Sequence, residues 1–243
     1  QLARPLRPRG SGPRAALLTG CVMSVASRPV HRASLDAIAA AGYEATPVAG
    51  CCGALSMHHG HPEAAREMAR ERIADLEDFD LVVVNAAGCS GHVKDYGELL
   101  DDDPEWAERA ARVAARACDV VELDYAVRRG SPGPVAVHDA CHHLNGQGIA
   151  DEPRRLLTRA GAELRELGDG GRCCGAAGLY AVTQPEMSAR LRRQKAEAIA
   201  ATGAPLVSVA NAGCAMQIER GLAEVGSETR VAHPTEIARA SRL

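Results

Sequence analysis

The feature that most constrains this chain is a duplicated order of events. ALLTGC (16–21) is followed by GCCGALSMHHG (50–60) and then DLVVVNAAGC (80–89). VAVHDAC (135–141) is followed by RCCGAAGLYAV (172–182) and then PLVSVANAGC (205–214). Each copy is an apolar run ending in Cys, a Cys-Cys-Gly, and a second apolar run ending in Ala-Gly-Cys. Cys21 lies 120 positions before Cys141, Cys51 122 before Cys173, and Cys89 125 before Cys214. Three matched events at near-constant spacing indicate internal duplication, so the chain must fold as two like units. The expected division is a linker over 1–14, a first unit over 15–130 and a second over 131–243. The turn-rich RRGSPGP (128–134) forms the joint.

The runs between the cysteines give the fold class. EAAREMARERIADL (63–76) places Ala65, Met68, Ala69, Ile73 and Leu76 on one helical stripe. EMSARLRRQKAEAIAATG (186–203) does the same with Met187, Leu191, Ala198 and Ile199, and ends at Gly203, a residue suited to a helix C-terminus. Each helix precedes a short β-branched run, LVVV (81–84) or LVSV (206–209). Further helices are expected near 30–41, 104–117, 151–160 and 215–224, with VVEL (120–123) and TRVAHP (229–234) as closing strands. Continuous apolar strands separated by amphipathic helices imply βαβ units and a buried parallel sheet. The expected fold is α/β: two tandem pseudo-symmetric repeats, each a small parallel sheet flanked by helices, with cysteines at the strand C-terminal ends. Ligands of parallel sheets collect there.

Composition excludes several classes. One Trp, one Phe and four Tyr give no stacking platform for single strands, and a net charge of −3 gives no pull toward nucleic acid. Lysine occurs only at 94 and 195 in an arginine-rich chain, a bias read first as base composition. No apolar run reaches the roughly 20 residues of a membrane span. QLARPLRPRGSGPRA lacks the apolar core of a secretory signal and reads as the linker of a longer protein. Nine cysteines without a signal point to a reduced, cytoplasmic setting and to metal or redox chemistry rather than disulfides. No phosphate-binding glycine loop, nucleophile elbow or ferredoxin-type cysteine run is present.

Four thiols per unit leave three chemistries open. Structural zinc favours C-x₂₋₄-C pairs, which neither unit has. Adjacent cysteines diverge around one tetrahedral ion and suit a larger centre, so an iron–sulfur cluster in one or both units is the leading expectation. Zinc in one unit and a thiol–disulfide role remain as alternatives. Cys118, unmatched in the second copy, is expected at a helix end as a small buried hydrophobe. His138 and His142 are placed to hydrogen-bond to a thiolate, although most such histidines are simply supporting or surface residues.

The stretches GCCGALSMHHG, NAAGCSGHVKDYGELLDDDPEWAERA (85–110), VHDACHHLNGQG (137–148) and CCGAAGLYAVTQPEMSARLRRQKAEAI (173–199) resemble the paired cysteine-rich CCG domains of glycolate oxidase iron–sulfur subunits. These are related to lactate-utilisation iron–sulfur proteins and to heterodisulfide reductase. The resemblance runs from about Ala15 onward. It implies an electron-transfer subunit that takes electrons from a flavin-containing dehydrogenase subunit, which oxidises a 2-hydroxy acid, and passes them toward a quinone or other carrier. It implies a cytoplasmic location, with peripheral association at the inner face of the membrane as a variant. Carried over by motif, the ligands are Cys21, Cys51, Cys52 and Cys89 in the first unit and Cys141, Cys173, Cys174 and Cys214 in the second.

Two departures are informative. The heterodisulfide reductase motif ends in C-x-x-C, whereas the final position here is His92 in one unit and Gln217 in the other. A [4Fe–4S] cube, a cluster with a non-cysteine ligand and one empty unit are therefore all open, and His92 becomes a candidate ligand. The ferredoxin-type clusters that precede these domains in full-length glycolate oxidase subunits are missing from this chain. Two other readings compete with the relay: a heterodisulfide-reductase-like catalytic cluster, and a zinc-bearing assembly module.

Overall fold

A computed structural model describes residues 6–239. The chain forms two compact units, one reaching Ala126 and joined by Arg239, the other spanning Val127–Ala238. Each contains one four-stranded parallel sheet.

In the first unit the strands are β1 (Arg14–Leu18), β2 (Glu44–Val48), β3 (Leu81–Val84) and β4 (Ala117–Asp119), in the order β2-β1-β3-β4. In the second they are β5 (Pro134–His138), β6 (Glu163–Glu166), β7 (Leu206–Val209) and β8 (Arg230–Ala232), in the order β6-β5-β7-β8. All pairings are parallel, and Leu17–Leu18 align with Val83–Val84 as Val137–His138 align with Ser208–Val209. The duplicated topology expected from the cysteine spacing is therefore present. Central strands β1, β3, β5 and β7 are the apolar runs recognised in the sequence, and they are buried because helices cover the sheet.

The Pro62–Leu76 helix buries Ala65, Ala69, Ile73 and Leu76, much of the stripe read from the sequence. Its counterpart, Pro185–Ala201, departs from expectation. Met187 is exposed, and the buried face carries Ser188, Arg192 and Lys195 beside Ala196 and Ile199. Arg192 is accommodated there by a two-point ion pair with Glu224, at 2.8 and 2.9 Å.

Two other expectations are corrected. VVEL (120–123) is not a strand. Asp119 ends β4 and caps the single turn Val120–Glu122, accepting from the Val121 amide at 3.1 Å while Glu122 accepts from the Asp119 amide at 2.6 Å. The strand lies earlier, so Cys118 sits on β4 opposite Val83 rather than at a helix end. The helix before it is correspondingly short, Ala107–Ala114. Edge strands β2 and β6 had no apolar signature. Pro47 in β2 and the charged ELRE of β6 are tolerated because an edge strand leaves one side unpaired.

Of the expected linker, residues 1–5 lie outside the described residues. Arg9 forms an antiparallel bridge to Ala45, with backbone hydrogen bonds of 3.0 and 2.7 Å, and its guanidinium pairs with Asp36. No helix among the described residues is long and apolar enough to cross a membrane.

Candidate metal centres

The eight matched cysteines all lie beyond the carboxyl ends of strands. In the first unit Cys21 follows β1, Cys51 and Cys52 follow β2, and Cys89 falls in the first turn of the Ala87–Lys94 helix that follows β3. The second unit repeats this: Cys141 follows β5, Cys173 and Cys174 follow β6, and Cys214 lies in the first turn of the Ala212–Glu224 helix after β7. Three adjacent parallel strands thus deliver four thiols to one end of the sheet, at the strand pair where connections leave in opposite directions. Ligands bind at this point in open α/β sheets.

Within each unit the thiols form a row in the same order. Cys21 Sγ lies 3.5 Å from Cys51 Sγ, Cys51 contacts Cys52, and Cys52 contacts Cys89. Cys141 contacts Cys173, Cys173 contacts Cys174, and Cys174 Sγ lies 3.2 Å from Cys214 Sγ. All nine cysteines are free thiols.

The glycine of Cys-Cys-Gly has a physical explanation. Gly53 and Gly175 adopt φ of +89° and +85°, where side chains are strained. Their amides point back at the first sulfur of the pair, Gly53 N at 3.5 Å from Cys51 Sγ and Gly175 N at 3.3 Å from Cys173 Sγ. A Cβ on Gly53 would lie 3.1 Å from the Ala65 carbonyl oxygen, and one on Gly175 would lie 2.7 Å from that of Ser188. The loop must run against helix backbone to present its thiols, and only glycine fits.

The electrostatics of the rows differ. In the first unit burial, then contact with Cys51, raises the Cys21 thiol. Contact with Cys52, then burial, raises Cys51. For Cys52, contact with Cys51 lowers the pKa, but contact with Cys89 and burial outweigh it and raise the thiol overall. In the second unit the row splits. Contact with Cys141 and with Cys174 lowers Cys173 to about 2, and contact with Cys174, helped by His138 and Asn211, lowers Cys214. Contact with Cys173 raises both Cys141 and Cys174. Neighbouring thiols cannot all ionise together, whereas a metal centre bound across the row would carry that charge.

The histidines sort clearly. His138 is buried with both ring nitrogens lacking a hydrogen bond, and one of them lies within 4.8 Å of Cys174 and Cys214 sulfurs that are themselves within that distance of each other. His92 is also buried, its ring edge-on to Tyr96 at 5.5 Å and its Nε2 without a partner. Burial, then the charge of His58, lowers it to about 4, so it is neutral near pH 7. His142 lies exposed in the His142–Gln147 turn, apart from the trio. Gln217 Nε2 donates to Ser188 Oγ at 2.7 Å, and Ser188 donates to the Gly175 carbonyl at 2.8 Å. It braces the loop rather than presenting a free donor atom to the thiols.

The donor set therefore fits a thiolate-held centre in each unit: four converging sulfurs, amides aimed at them and orphaned imidazole nitrogens alongside. The CCG cysteine-rich domain model matches twice, over residues 15–94 and 135–219. The chain belongs to this family. It is also 37% identical to the "Probable glycolate oxidase iron-sulfur subunit" of Bacillus subtilis, across 90% of this chain and 52% of that protein. The chain thus spans about half the length of that relative. It is 28% identical to "Lactate utilization protein A" of Bacillus cereus and of Bacillus thuringiensis, across 92% of this chain and 98% of theirs.

Sequence reasoning missed three parts of these CCG sites. Tyr96 donates its buried hydroxyl to the Cys52 carbonyl at 2.8 Å. Asn211 Nδ2 donates to Cys214 Sγ at 3.6 Å. The third part is a cation behind each Cys-Cys loop. For the second unit, one of only two lysines in an arginine-rich chain, Lys195, was the signal available for it.

Proposed function

We propose that the chain is an iron–sulfur electron-transfer subunit of a flavin-dependent 2-hydroxyacid dehydrogenase of the glycolate type. Its ligands would be Cys21, Cys51, Cys52 and Cys89 in one unit and Cys141, Cys173, Cys174 and Cys214 in the other. The observation that carries this is the repeated four-thiol row beyond three parallel strands. The names of the relatives support it and supply the substrate class. A bound cluster would act as a one-electron store. The chain's own contribution is to fix four sulfurs, aim amides at them and bury Cys52, Cys174 and Cys214. Cys21 at the row's outer end is exposed. Large exposed apolar side chains lie on the segments next to the thiols: Val22, Val25, Leu55 and Met57 in the first unit, Leu179 and Met216 in the second. An apolar rim and an exposed outer sulfur suit close approach of a flavin-bearing partner. On this reading the domains are 15–130 and 131–243, and the protein works in the cytoplasm.

One observation favours a second reading for the second unit. His138, Cys174 and Cys214 are close enough to share a single ion, so zinc there is the alternative.

Iron, acid-labile sulfide and zinc measured per chain on anaerobically purified protein, with EPR before and after reduction, separate these readings. About four irons per occupied unit and a reducible signal are expected. Cys51→Ser and Cys174→Ser should each lose iron and sulfide from their own unit while the α/β core stays folded. Zinc alone, or full iron in both variants, would overturn the assignment.

A further inference from the structure

The Pro62–Leu76 and Pro185–Ala201 helices begin 123 positions apart, and at that same offset each carries a cation on the side facing its Cys-Cys loop, Arg72 and Lys195. Arg72 Nη1 donates to the Ala49 carbonyl at 2.8 Å, two residues before Cys51, and its guanidinium also pairs with Asp75 at 3.0 Å. The guanidinium lies directly over Gly50, where a Cβ would come 1.5 Å from Nη1. In the second unit Lys195 pairs with Asp169, four residues before Cys173, with the two side chains 1% and 5% exposed. Asp169 in turn accepts from the Gly171 amide at 3.2 Å and shapes the turn leading to Cys173. The chemistry of the two contacts differs, but the place and the target are the same.

A buried lysine is costly to desolvate and is retained only where its charge is matched. Here it is one of two lysines in the chain, and the other, Lys94, is a partly exposed partner of Glu122. Arginine bias explains neither.

We infer that Arg72 and Lys195 are matched positioning residues: each latches the loop that presents its Cys-Cys pair.

The test compares full-length wild type with Lys195→Met, Lys195→Arg and Arg72→Met. Hydrogen exchange of residues 168–176 should speed up at least tenfold in Lys195→Met and return toward wild type in Lys195→Arg. Residues 48–54 should respond in the same way to Arg72→Met. Unchanged exchange in both Met variants overturns the latch, whatever metal the protein holds.

Discussion

The two units share a topology and a thiol order, yet they hold their Cys-Cys loops by different means. The first loop leads straight into the Ala54–His58 helix, is braced from above by Tyr96, and has an arginine on a backbone carbonyl behind it. The second leads into a bend in which Ala177 takes φ +34°, is braced by the Gln217–Ser188 pair, and has a buried lysine–aspartate pair behind it. The thiols follow their surroundings. Cys21, Cys51 and Cys52 in the first unit are all raised, while contact among the thiols, with His138 and Asn211, splits the second row into lowered and raised members. Duplication preserved what geometry demands, namely the sheet, the glycine and the row. The groups that set charge around the sulfurs were free to diverge.

The sharpest way to break the comparison is at the shared glycine. Both positions strain a side chain, but the approach to helix backbone is closer at Gly175 than at Gly53, and a carbonyl held within a helix cannot move aside cheaply. Gly175→Ala should destabilise its unit by about 3–4 kcal/mol, and Gly53→Ala by about 1–2 kcal/mol. Denaturant unfolding followed by a probe in each unit checks this. Equal losses would mean that the two loops approach their helices alike.

Acid should distinguish the units next. His31 is buried in the first, its Nδ1 3.0 Å from Asn85 Nδ2, which also donates to Ser34 Oγ at 3.0 Å. Burial, then the charge of Arg28, lowers its pKa from 6.5 to about 4. Between those values the unfolded chain binds the proton and the folded one does not, so stability is complete above pH 6.5 and declines toward pH 4. Going from pH 6.5 to 5 should cost the first unit about 2 kcal/mol through this residue. His31→Gln should remove this share of the slope in pH-dependent unfolding and leave the share of His92, which burial lowers to the same value. A slope that persists undiminished in the variant would assign it to another group.

What the sequence revealed and what it hid follow from the same physics. The central strands and the thiol positions were legible because burial on both faces writes a continuous apolar run, and because cysteines rarely recur at fixed offsets by chance. Strands β2 and β6 were hidden because an edge needs no such run. VVEL misled because Val120 and Val121 are buried in a capped turn, so apolar character alone did not report strand geometry. Met187 misled because the helix that should have buried it instead buries Ser188, Arg192 and Lys195, side chains whose partners Gly175, Glu224 and Asp169 are far away in sequence. Periodicity records hydrophobicity but carries no record of who pairs with whom. The thiol rows were legible as sets of four, while their order and the groups that charge them had to come from three dimensions.

The smallest expected effect isolates one brace. Tyr96 is fully buried, and its hydroxyl satisfies the Cys52 carbonyl. Burial, then the charges of Cys52 and Cys89, raises its pKa, so it stays a donor at any working pH. The residue 125 positions on, the offset that relates Cys89 to Cys214, is Gly221. A Cβ there would lie 2.8 Å from the Arg192 side chain, so the second unit uses this space for the Arg192–Glu224 pair and has no hydroxyl to offer. Tyr96→Phe keeps the ring against His92 and removes only the donor. It should cost about 1 kcal/mol and leave the second unit's unfolding unchanged. If Tyr96→Phe instead costs nothing, the first loop is held by its glycine and by Arg72, and the two units are braced more alike than their residues suggest.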